Sequence, residues 1–413
     1  MRVLSGPSAA RMIKRLVSRG TSLSALEPKV RSIVNNVRRR GDAALRRYGA
    51  QWDGLAKNQP LTVSELEMND AWQSASPAVR KSLRQAANNI RSFCRQQKPR
   101  SWTRTSRGIS LGQLAIPLES VGCYVPGGRY PLVSTLLMTV IPAQVAGVKN
   151  IRVVSPKPSS EVLAAAGMLG VTEFYRVGGA QAIAALAYGT KTIPRVDKIV
   201  GPGNAYVTAA KKLVSFDCAI DFLAGPTEAL VLSETGNPQF IAADLVSQAE
   251  HDPDALSLFI TTSQKLTEQV AASLVELSKT NRIARKSIQR QGAVLLAESR
   301  DQARDWANVL APEHITVDTE DVPFIRNAGS IFVGNYSPQA AGDYASGPNH
   351  VLPTAGQARF RGGLSVLDFM KLITIQELSR AGLQQIGNTV ESLAQLEGLQ
   401  AHANSVHVRI ANA

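Results

Sequence analysis

Short apolar runs alternate with longer segments of helical spacing from about residue 110 to residue 280. The runs that predict strands are LAIPL, SVGCYVP, IRVVSP, TEFYRVG, DKIVGPG, EALVLS and SLFITTS. The segments that predict helices are PLVSTLLMTVIPAQVAG, SEVLAAAGML, AQAIAALAYG, NAYVTAAKKLVS, PQFIAADLVSQAE and KLTEQVAASLVEL. Strands that alternate with helices of this length favour parallel sheets. We therefore predict an α/β protein with two doubly wound, incomplete Rossmann-like parallel-sheet domains.

The two ends of the chain depart from this alternation. Residues 1–100 have mostly helical spacing, with a turn-rich break near residues 51–60. After Pro353 the pattern predicts a helix from about residues 366–371 onward, a helix over 387–396 and the alternating tail SVHVRI. We predict four segments: a helical region leading into the first α/β domain (1–122), a second α/β domain (123–228), a continuation of the first (229–363) and a small C-terminal helical arm (364–413).

Composition describes a globular protein without a membrane span. Of 413 residues, 44% are hydrophobic and 19% are charged. The longest apolar run, around Leu136 to Val148, is too short to cross a bilayer and contains Pro142. The N-terminus MRVLSGPSAARMIKRL has no secretory-signal pattern. Three cysteines form no CxxC pair, so we expect buried thiols and a cytoplasmic location.

The positive charge is concentrated in the first quarter of the chain. The net charge is +14, and residues 1–107 carry 22 Lys and Arg against 6 Asp and Glu. Such an excess is compatible with nucleic-acid binding. However, the same region has apolar residues at helical spacing, few aromatic residues and no recognisable nucleic-acid motif. We therefore favour a solvated basic helix face over a nucleic-acid partner.

Glycines cluster in three consecutive strand-to-helix turns. The turns are YVPGGRYP with Gly127 and Gly128, RVGGAQA with Gly178 and Gly179, and VGPGNAYV with Gly201 and Gly203. None completes a GxGxxG fingerprint, and each alone is explained as a tight turn. Three together favour a nucleotide cleft, because backbone can approach a phosphate closely there. In doubly wound sheets such a cleft lies at the carboxyl ends of the strands.

The segment DLVSQAEHDPD places Gln248 and His251 three residues apart on one helix face. A polar helix end stopped by Pro253 explains this pair when it is taken alone. Three further histidines also lie in polar, turn-like contexts near carboxylates: His314 with Glu313, His350 with Asp343, and His402 with Glu397. Together these residues are the inventory of a metal site with nitrogen and oxygen ligands plus an acid/base group. Their spacing does not identify the metal.

Long motifs in a fixed order resemble the histidinol dehydrogenase family along essentially the whole chain. They are YVPGGRYPLVSTLLM, VGGAQAIAALAYGT, VDKIVGPGNAYV, DFLAGPTEALV, DLVSQAEHDPD, APEHI, AGSIFVGNYSPQAAGDYASGPNHVLPT and the Glu397–His402 pair. The resemblance implies oxidation of L-histidinol through an aldehyde to L-histidine, with two NAD⁺ used in succession. It also implies one zinc ion per subunit and a homodimer. In this view residues 123–228 bind NAD, residues 229–363 carry the metal and catalytic residues, and residues 364–413 form a dimerisation arm.

The same resemblance implies roles for individual residues. The zinc ligands would be Gln248, His251, Asp343 and His402, a plausible nitrogen and oxygen set. His314 would take the alcohol proton, and Glu313 would activate water against the aldehyde. The substrate contacts would be Thr227, His350 and Glu397, together with His314 and the metal ligands. The NAD contacts would be Tyr124, Gln181 and Asn204. Glu397 and His402 would be supplied by the partner subunit.

Two departures from the family pattern and two alternatives remain. Thr227 stands where the family often has serine, which preserves the hydroxyl. A cysteine that some members carry near IRVVSP is absent, which argues against thiol-based oxidation. Relatives that oxidise other small alcohols, such as sulfopropanediol, share much of the machinery, although the presence of Glu397 favours histidinol. A catalytically idle nucleic-acid-binding protein is disfavoured by Glu313, His314 and the complete ligand set.

Overall fold

Strands and helices alternate through the middle of the chain, as the hydrophobic pattern predicts. The computed structural model describes residues 2–20, 23–127 and 131–411. Its strands are β1 (Arg2–Ser5), β2 (Thr62–Val63), β3 (Trp102–Ser106), β4 (Ile109–Pro117), β5 (Ser120–Tyr124), β6 (Asn150–Val154), β7 (Glu173–Tyr175), β8 (Lys198–Val200), β9 (Ala219–Ile220), β10 (Glu228–Leu232), β11 (Leu256–Thr261), β12 (Ala293–Leu296), β13 (His314–Val317), β14 (Ser330–Val333) and β15 (Met370–Leu378).

The helices account for most of the remaining chain. They are α1 (Gly6–Val17), α2 (Glu27–Arg40), α3 (Asp42–Tyr48), α4 (Glu65–Ser74), α5 (Pro77–Gln97), α6 (Val133–Ala146), α7 (Ser160–Met168), α8 (Gly179–Tyr188), α9 (Ala205–Val214), α10 (Pro238–Ala249), α11 (Gln264–Leu277), α12 (Arg282–Gln291), α13 (Arg300–Leu310), α14 (Gln339–Tyr344), α15 (Arg380–Leu396) and α16 (Gln400–Ala411). A π-helical turn follows α3 at Gly49–Asp53, and 3₁₀ turns lie at Thr319–Phe324, Gln357–Arg359 and Val366–Phe369.

The first sheet has the order β2-β7-β6-β5-β8-β9. Its strands are parallel, except that β2 at the edge is antiparallel to β7. Helix α8 packs into its core along almost its whole length, because its sequence GAQAIAALAY is nearly all small or apolar. Helix α2 adds Val30, Ile33, Val34 and Val37 to the same core, while Arg38–Arg40 stay exposed. The strand order reverses between β5 and β8, which defines a topological switch point.

The second sheet has the order β1-β12-β11-β10-β13-β14, and its paired strands are parallel. Its order reverses between β10 and β13. Successive side chains of β10 enter different cores, since strand residues alternate between faces. Leu230 and Leu232 pack with α1 and α13, whereas Ala229 and Val231 pack with α10, α11 and α12. The prediction of two doubly wound parallel sheets is confirmed.

The chain divides into two compact units, Met1–Gln97 with Glu119–Phe369, and Lys98–Leu118 with Met370–Ala413. Both parallel sheets belong to the first unit. The second unit contains an antiparallel sheet of order β15-β4-β3 together with α15 and α16. These two helices pack closely at Gly387, where a Cβ would lie 2.3 Å from Ile410 Cδ1.

Two local predictions were wrong. The segment predicted as a helix from residues 366–371 onward is a 3₁₀ turn followed by β15, because its β-branched residues pair with the distant β4. The tail SVHVRI lies in α16 rather than in an alternating segment, since Val406 and Ile410 share the face that packs on Gly387. The mostly helical N-terminal region also supplies β1 to the second sheet and β2 to the first.

Two predictions from composition agree with the structure. All three cysteines are buried and unpaired. In the described ranges, no helix is long and apolar enough to cross a membrane.

Candidate active site

Glu313 and His314 lie where β13 begins, beside the start of β10. His314 is in register with Ala229, and the Glu228 backbone N–H donates to Glu313 Oε2 at 2.9 Å. Both side chains are buried, with 7% and 3% of their surfaces exposed. Glu228 is itself held by Arg19, whose Nε donates to Glu228 Oε1 at 2.6 Å. Arg19, from the basic N-terminal quarter, therefore helps to hold β10, the strand that contacts Glu313.

Glu313 and His314, the predicted acid–base pair, lie at the amino ends of the parallel strands, at the opposite edge from the carboxyl ends that bind nucleotides in such sheets. The reason lies in the course of α10. This helix starts after the carboxyl end of β10 and runs back along the sheet, so its C-terminal end returns to the amino edge. Gln248 is in that last turn and contacts Asp343 of α14. The predicted acid–base and metal residues of the first unit therefore lie together at the amino edge of the second sheet.

Asp343 connects the residues predicted for the metal with those predicted for acid–base chemistry. Its Oδ2 accepts from Gln248 Nε2 at 2.8 Å, and its Oδ1 lies 3.3 Å from His314 Nε2. The Asp343 carbonyl oxygen lies 2.7 Å from His350 Nδ1. His350 Nε2 is 3.4 Å from Thr135 Oγ1. Four predicted site residues from separate parts of the sequence therefore form one connected network.

Burial and charge shift the pKa values of this network in different directions. Burial raises the pKa of Glu313 to about 8, although the neighbouring His314 partly opposes the shift. Burial alone would lower the pKa of His314, but Glu313 and Asp343 outweigh it and raise that pKa. Burial would raise the pKa of Asp343, but the hydrogen bond and charge of His314 lower it. His314 Nδ1 is buried and has no hydrogen-bond partner among the described residues.

The predicted zinc ligands are only partly assembled in the first unit. Gln248 and Asp343 are in contact, and the exposed His251 follows Gln248 at the end of α10. Within the described residues, no three His, Cys, Asp or Glu side chains are arranged to hold a metal ion. The predicted set includes an amide, and its fourth member, His402, belongs to the second unit. The amide, carboxylate and imidazole present fit a nitrogen and oxygen site that needs one further ligand.

Glu397 and His402 lie on either side of the turn between α15 and α16. Glu397 caps the C-terminus of α15, and His402 is in the first turn of α16. Both are exposed. Exposed leucines surround them, with 83% of Leu396 and 42% of Leu399 accessible. This end of the second unit therefore presents a histidine and a carboxylate within an apolar surface.

The predicted NAD contacts converge at the switch point of the first sheet. Tyr124, Gln181 and Asn204 line one cavity of about 280 Å³. They follow the carboxyl ends of β5, β7 and β8, as expected for this sheet. Tyr124 Oη accepts from the Gly179 N–H at 3.1 Å, and Asn204 Oδ1 accepts from two backbone N–H groups to cap α9.

The glycine turns form the walls of this cavity. A Cβ at Gly178 would lie 2.4 Å from Pro156 Cγ, and one at Gly201 would lie 2.2 Å from the Tyr124 carbonyl oxygen. Gly201 also has a φ of +113°, which side chains rarely adopt. Gly128 of the first turn is outside the described residues. The glycines are thus required by close backbone packing around the cavity.

Sequence reasoning gave no site role to Lys29, Trp52 and Asp53, which line the same cavity. All come from the N-terminal region. Trp52 and Asp53 lie in the turn-rich break near residues 51–60, where an aromatic and an acidic residue precede Gly54. An aromatic and an acidic residue side by side in a turn were the feature of the sequence that could have indicated a binding role.

A second cavity of about 460 Å³ lies next to His251. Its lining includes Leu83 of α5, Leu137 of α6 and Tyr344, the last residue of α14. Its walls are mainly apolar and include Glu250 and His251. The cavity offers an approach to the residues predicted to bind metal and substrate.

Two doubly wound sheets, with a cavity at the switch point of one and the buried Glu313 and His314 in the other, form an arrangement typical of an α/β enzyme. The sequence model of the histidinol dehydrogenase family matches residues 17–410, and the chain belongs to that family. The chain is 48% identical over 397 residues to histidinol dehydrogenase of Methanothermobacter thermautotrophicus, covering 92% of each chain. It is 47% identical over 414 residues to that of Geobacillus kaustophilus, covering 96% of each.

A solved structure agrees with the sequence relatives. The crystal structure of histidinol dehydrogenase from Elizabethkingia anophelis superposes with a TM-score of 0.93 at 36% sequence identity. The match covers 100% of this chain and 98% of that one. The family assignment therefore holds for fold and sequence together.

Proposed function

We propose that this protein oxidises L-histidinol to L-histidine in two successive NAD⁺-linked steps, through L-histidinaldehyde. The observation that carries the proposal is the contact network of Glu313, His314, Asp343 and Gln248 in a member of this family. It joins an acid–base pair to candidate metal ligands. The cavity bounded by Tyr124, Gln181 and Asn204 supports NAD as the hydride acceptor.

In the first step, the alcohol loses a proton to His314 and a hydride to NAD⁺, which gives the aldehyde and NADH. The geometry supports this role. When His314 Nε2–H donates to Asp343, the Nδ1 lone pair remains available for the alcohol proton. Asp343 then stabilises the imidazolium that forms.

In the second step, water adds to the aldehyde, and the carbonyl oxygen takes its proton from protonated His314. The resulting hydrate loses a hydride to a second NAD⁺ and a hydroxyl proton to His314, which gives the carboxylic acid. Glu313 takes a proton from the attacking water. Its Oε2 lies 3.7 Å from His314 Nδ1, so the two groups can act on the same substrate carbon. Burial excludes bulk water from both side chains, which strengthens their interactions with a developing charge.

Gln248, His251, Asp343 and the partner's copy of His402 would hold a zinc ion. Such an ion would fix and polarise the substrate's polar groups. Thr227 immediately precedes Glu228, whose backbone N–H donates to Glu313, and His350 contacts Asp343. These contacts support substrate-binding roles for Thr227 and His350. Glu397, close to His402 in sequence, would meet the substrate amine.

We further propose a homodimer in which the second unit of each copy reaches the active site of the other. The exposed leucines around Glu397 and His402 support a protein contact at this surface. NADH formation tests the proposed function. Metal-free enzyme should be inactive, and with zinc it should produce two NADH per L-histidinol. Turnover of sulfopropanediol in place of histidinol, or full activity without zinc, would contradict the proposal.

A further inference from the structure

Asp53 is a carboxylate in the wall of the 280 Å³ cavity that the proposed function does not use. It ends the π-helical turn Gly49–Asp53 after α3 and is half-buried. Its Oδ2 lies 3.3 Å from Gln181 Nε2, so it contacts one of the predicted NAD residues directly. The position of Asp53 is therefore tied to the α8 end of the first sheet.

The position at which such a fold usually carries an acidic residue has no carboxylate in this chain. In doubly wound dinucleotide sites, an acidic residue about 20 residues beyond the glycine turn accepts hydrogen bonds from ribose hydroxyls. In this chain β6 ends at Val154 and continues with Ser155, Pro156 and Lys157, which carry no carboxylate. Asp53 brings a carboxylate to the same cavity from the N-terminal region.

The surroundings of Asp53 suit a nucleoside. Trp52 is stacked on Tyr48, with ring centroids 4.7 Å apart and an interplanar angle of 4°, and 43% of its surface remains exposed. Lys29 reaches the same cavity and donates to Tyr206 Oη at 3.1 Å. A carboxylate, an aromatic ring and a cation therefore line one wall.

A more polar cavity of about 380 Å³ lies on the other side of Asp53. It shares Asp53 with the first cavity and is also lined by Lys157 and Arg176. Arg176 is paired with Glu67, whereas Lys157 carries its charge close to Asp53. The negative charge of Asp53 thus lies between the nucleotide cavity and two cationic side chains.

We propose that Asp53 binds the adenosine ribose of the dinucleotide and selects NAD over NADP. The inference rests on the proposed function. A carboxylate accepts hydrogen bonds from both ribose hydroxyls, but it repels a 2′-phosphate. Neutralising Asp53 removes that repulsion and leaves Lys157 to attract the phosphate.

The test compares Asp53→Asn with wild type, using the exposed Asp70→Asn as a matched control. Binding of NAD⁺ and NADP⁺ is measured by calorimetry and by the fluorescence of Trp52, with Trp52→Phe identifying that signal. Asp53→Asn should weaken NAD⁺ binding about tenfold or more, because a charged hydrogen-bond acceptor is lost. It should bind NADP⁺ more tightly than wild type, because the repulsion of the 2′-phosphate is removed. Asp70→Asn should behave as wild type.

An unchanged ratio of NAD⁺ to NADP⁺ affinity in Asp53→Asn would overturn the inference. If that variant does not fold, Asp53→Ser carries the same expectation. Wild-type enzyme that binds NAD⁺ with the Trp52 response but leaves L-histidinol unoxidised would refute the proposed function and not the role of Asp53. Wild-type enzyme that binds neither dinucleotide would refute both.

Discussion

Glu313 and His314 are neighbours in sequence but serve different proton transfers in the proposed reaction. Only aldehyde oxidation needs an activated water, so Glu313→Gln should slow that half-reaction by about 100-fold or more. Alcohol oxidation should fall by less than about tenfold, since His314 remains. Single-turnover NADH formation from histidinol and from histidinaldehyde separates the two steps. The exposed Glu276→Gln is the control, and equal losses in both steps would refute the division of roles.

The raised pKa of Glu313 leads to a pH dependence. Burial raises that pKa to about 8, so below this pH the carboxyl is protonated and cannot accept a proton from water. The rate of aldehyde oxidation should therefore rise as the pH increases through about 8 and level off above it. In Glu313→Gln the residual rate should not show this rise. A variant with the same pH profile as wild type would assign the titration to another group.

Helix α13 and the turn after β13 are tied together by a buried ion pair. Asp321, with 0% of its surface exposed, accepts from Arg300 Nε at 2.9 Å and from Arg304 Nε at 2.8 Å. Helix α13 ends at Leu310, shortly before Glu313. The hydrogen bonds of Arg300 and Arg304 to Asp321 therefore connect the two elements that flank the segment with the predicted acid–base residues.

Asp321→Asn should lower the free energy of unfolding by about 3 kcal/mol, because two arginines lose a buried partner. Asp301→Asn is the matched control, since Asp301 also binds Arg304, at 2.9 Å, but is 87% exposed. That change should cost less than about 1 kcal/mol. Urea unfolding measures both, and equal effects would show that burial of Asp321 is unimportant.

The stabilisation of the fold by Asp321 and its two arginines should also depend on pH. Burial would raise the pKa of Asp321, but hydrogen bonds from Arg300 and Arg304 lower it below 3.8. The stabilisation is therefore fully present above pH 3.8 and is lost as the pH falls through the lower pKa of the folded state. The stability difference between wild type and Asp321→Asn should shrink over that acidic range.

At the scale of whole molecules, the proposed shared active site predicts complementation between two inactive variants. His251→Asn would lack a proposed metal ligand on the first unit, and His402→Asn would lack one on the second. A heterodimer of the two places both lesions in one site and leaves the other intact. Mixing and re-dimerisation should restore up to about half of wild-type activity per heterodimer if the sites act independently. Heterodimers that form without any recovery would show that each chain builds its own site.

The hydrophobic pattern along the chain was sufficient to predict those helices and strands whose formation depends on residues close in sequence. Apolar periodicity predicted β5, β6, β7 and β8 of the first sheet, β10 and β11 of the second, and the helices between them, because each of these elements buries a face set by its own spacing. It failed for β15, whose partner β4 is more than 250 residues away in sequence. It also failed for α16, where packing on Gly387 outweighed a short alternating pattern.

Motifs in the sequence also identified Glu313, His314, Asp343 and Gln248 as candidates, but not their arrangement. Only the tertiary structure brought them together at the amino edge of the second sheet, because α10 returns there after β10. Likewise, the sequence of the turn-rich break near residues 51–60 did not indicate that this segment lies close to the glycine turns. The fold placed Asp53 against Gln181 across more than 120 residues of chain. Side-chain types are a property of the sequence, whereas contacts between distant segments, and the pKa shifts that burial causes, exist only once the chain has folded.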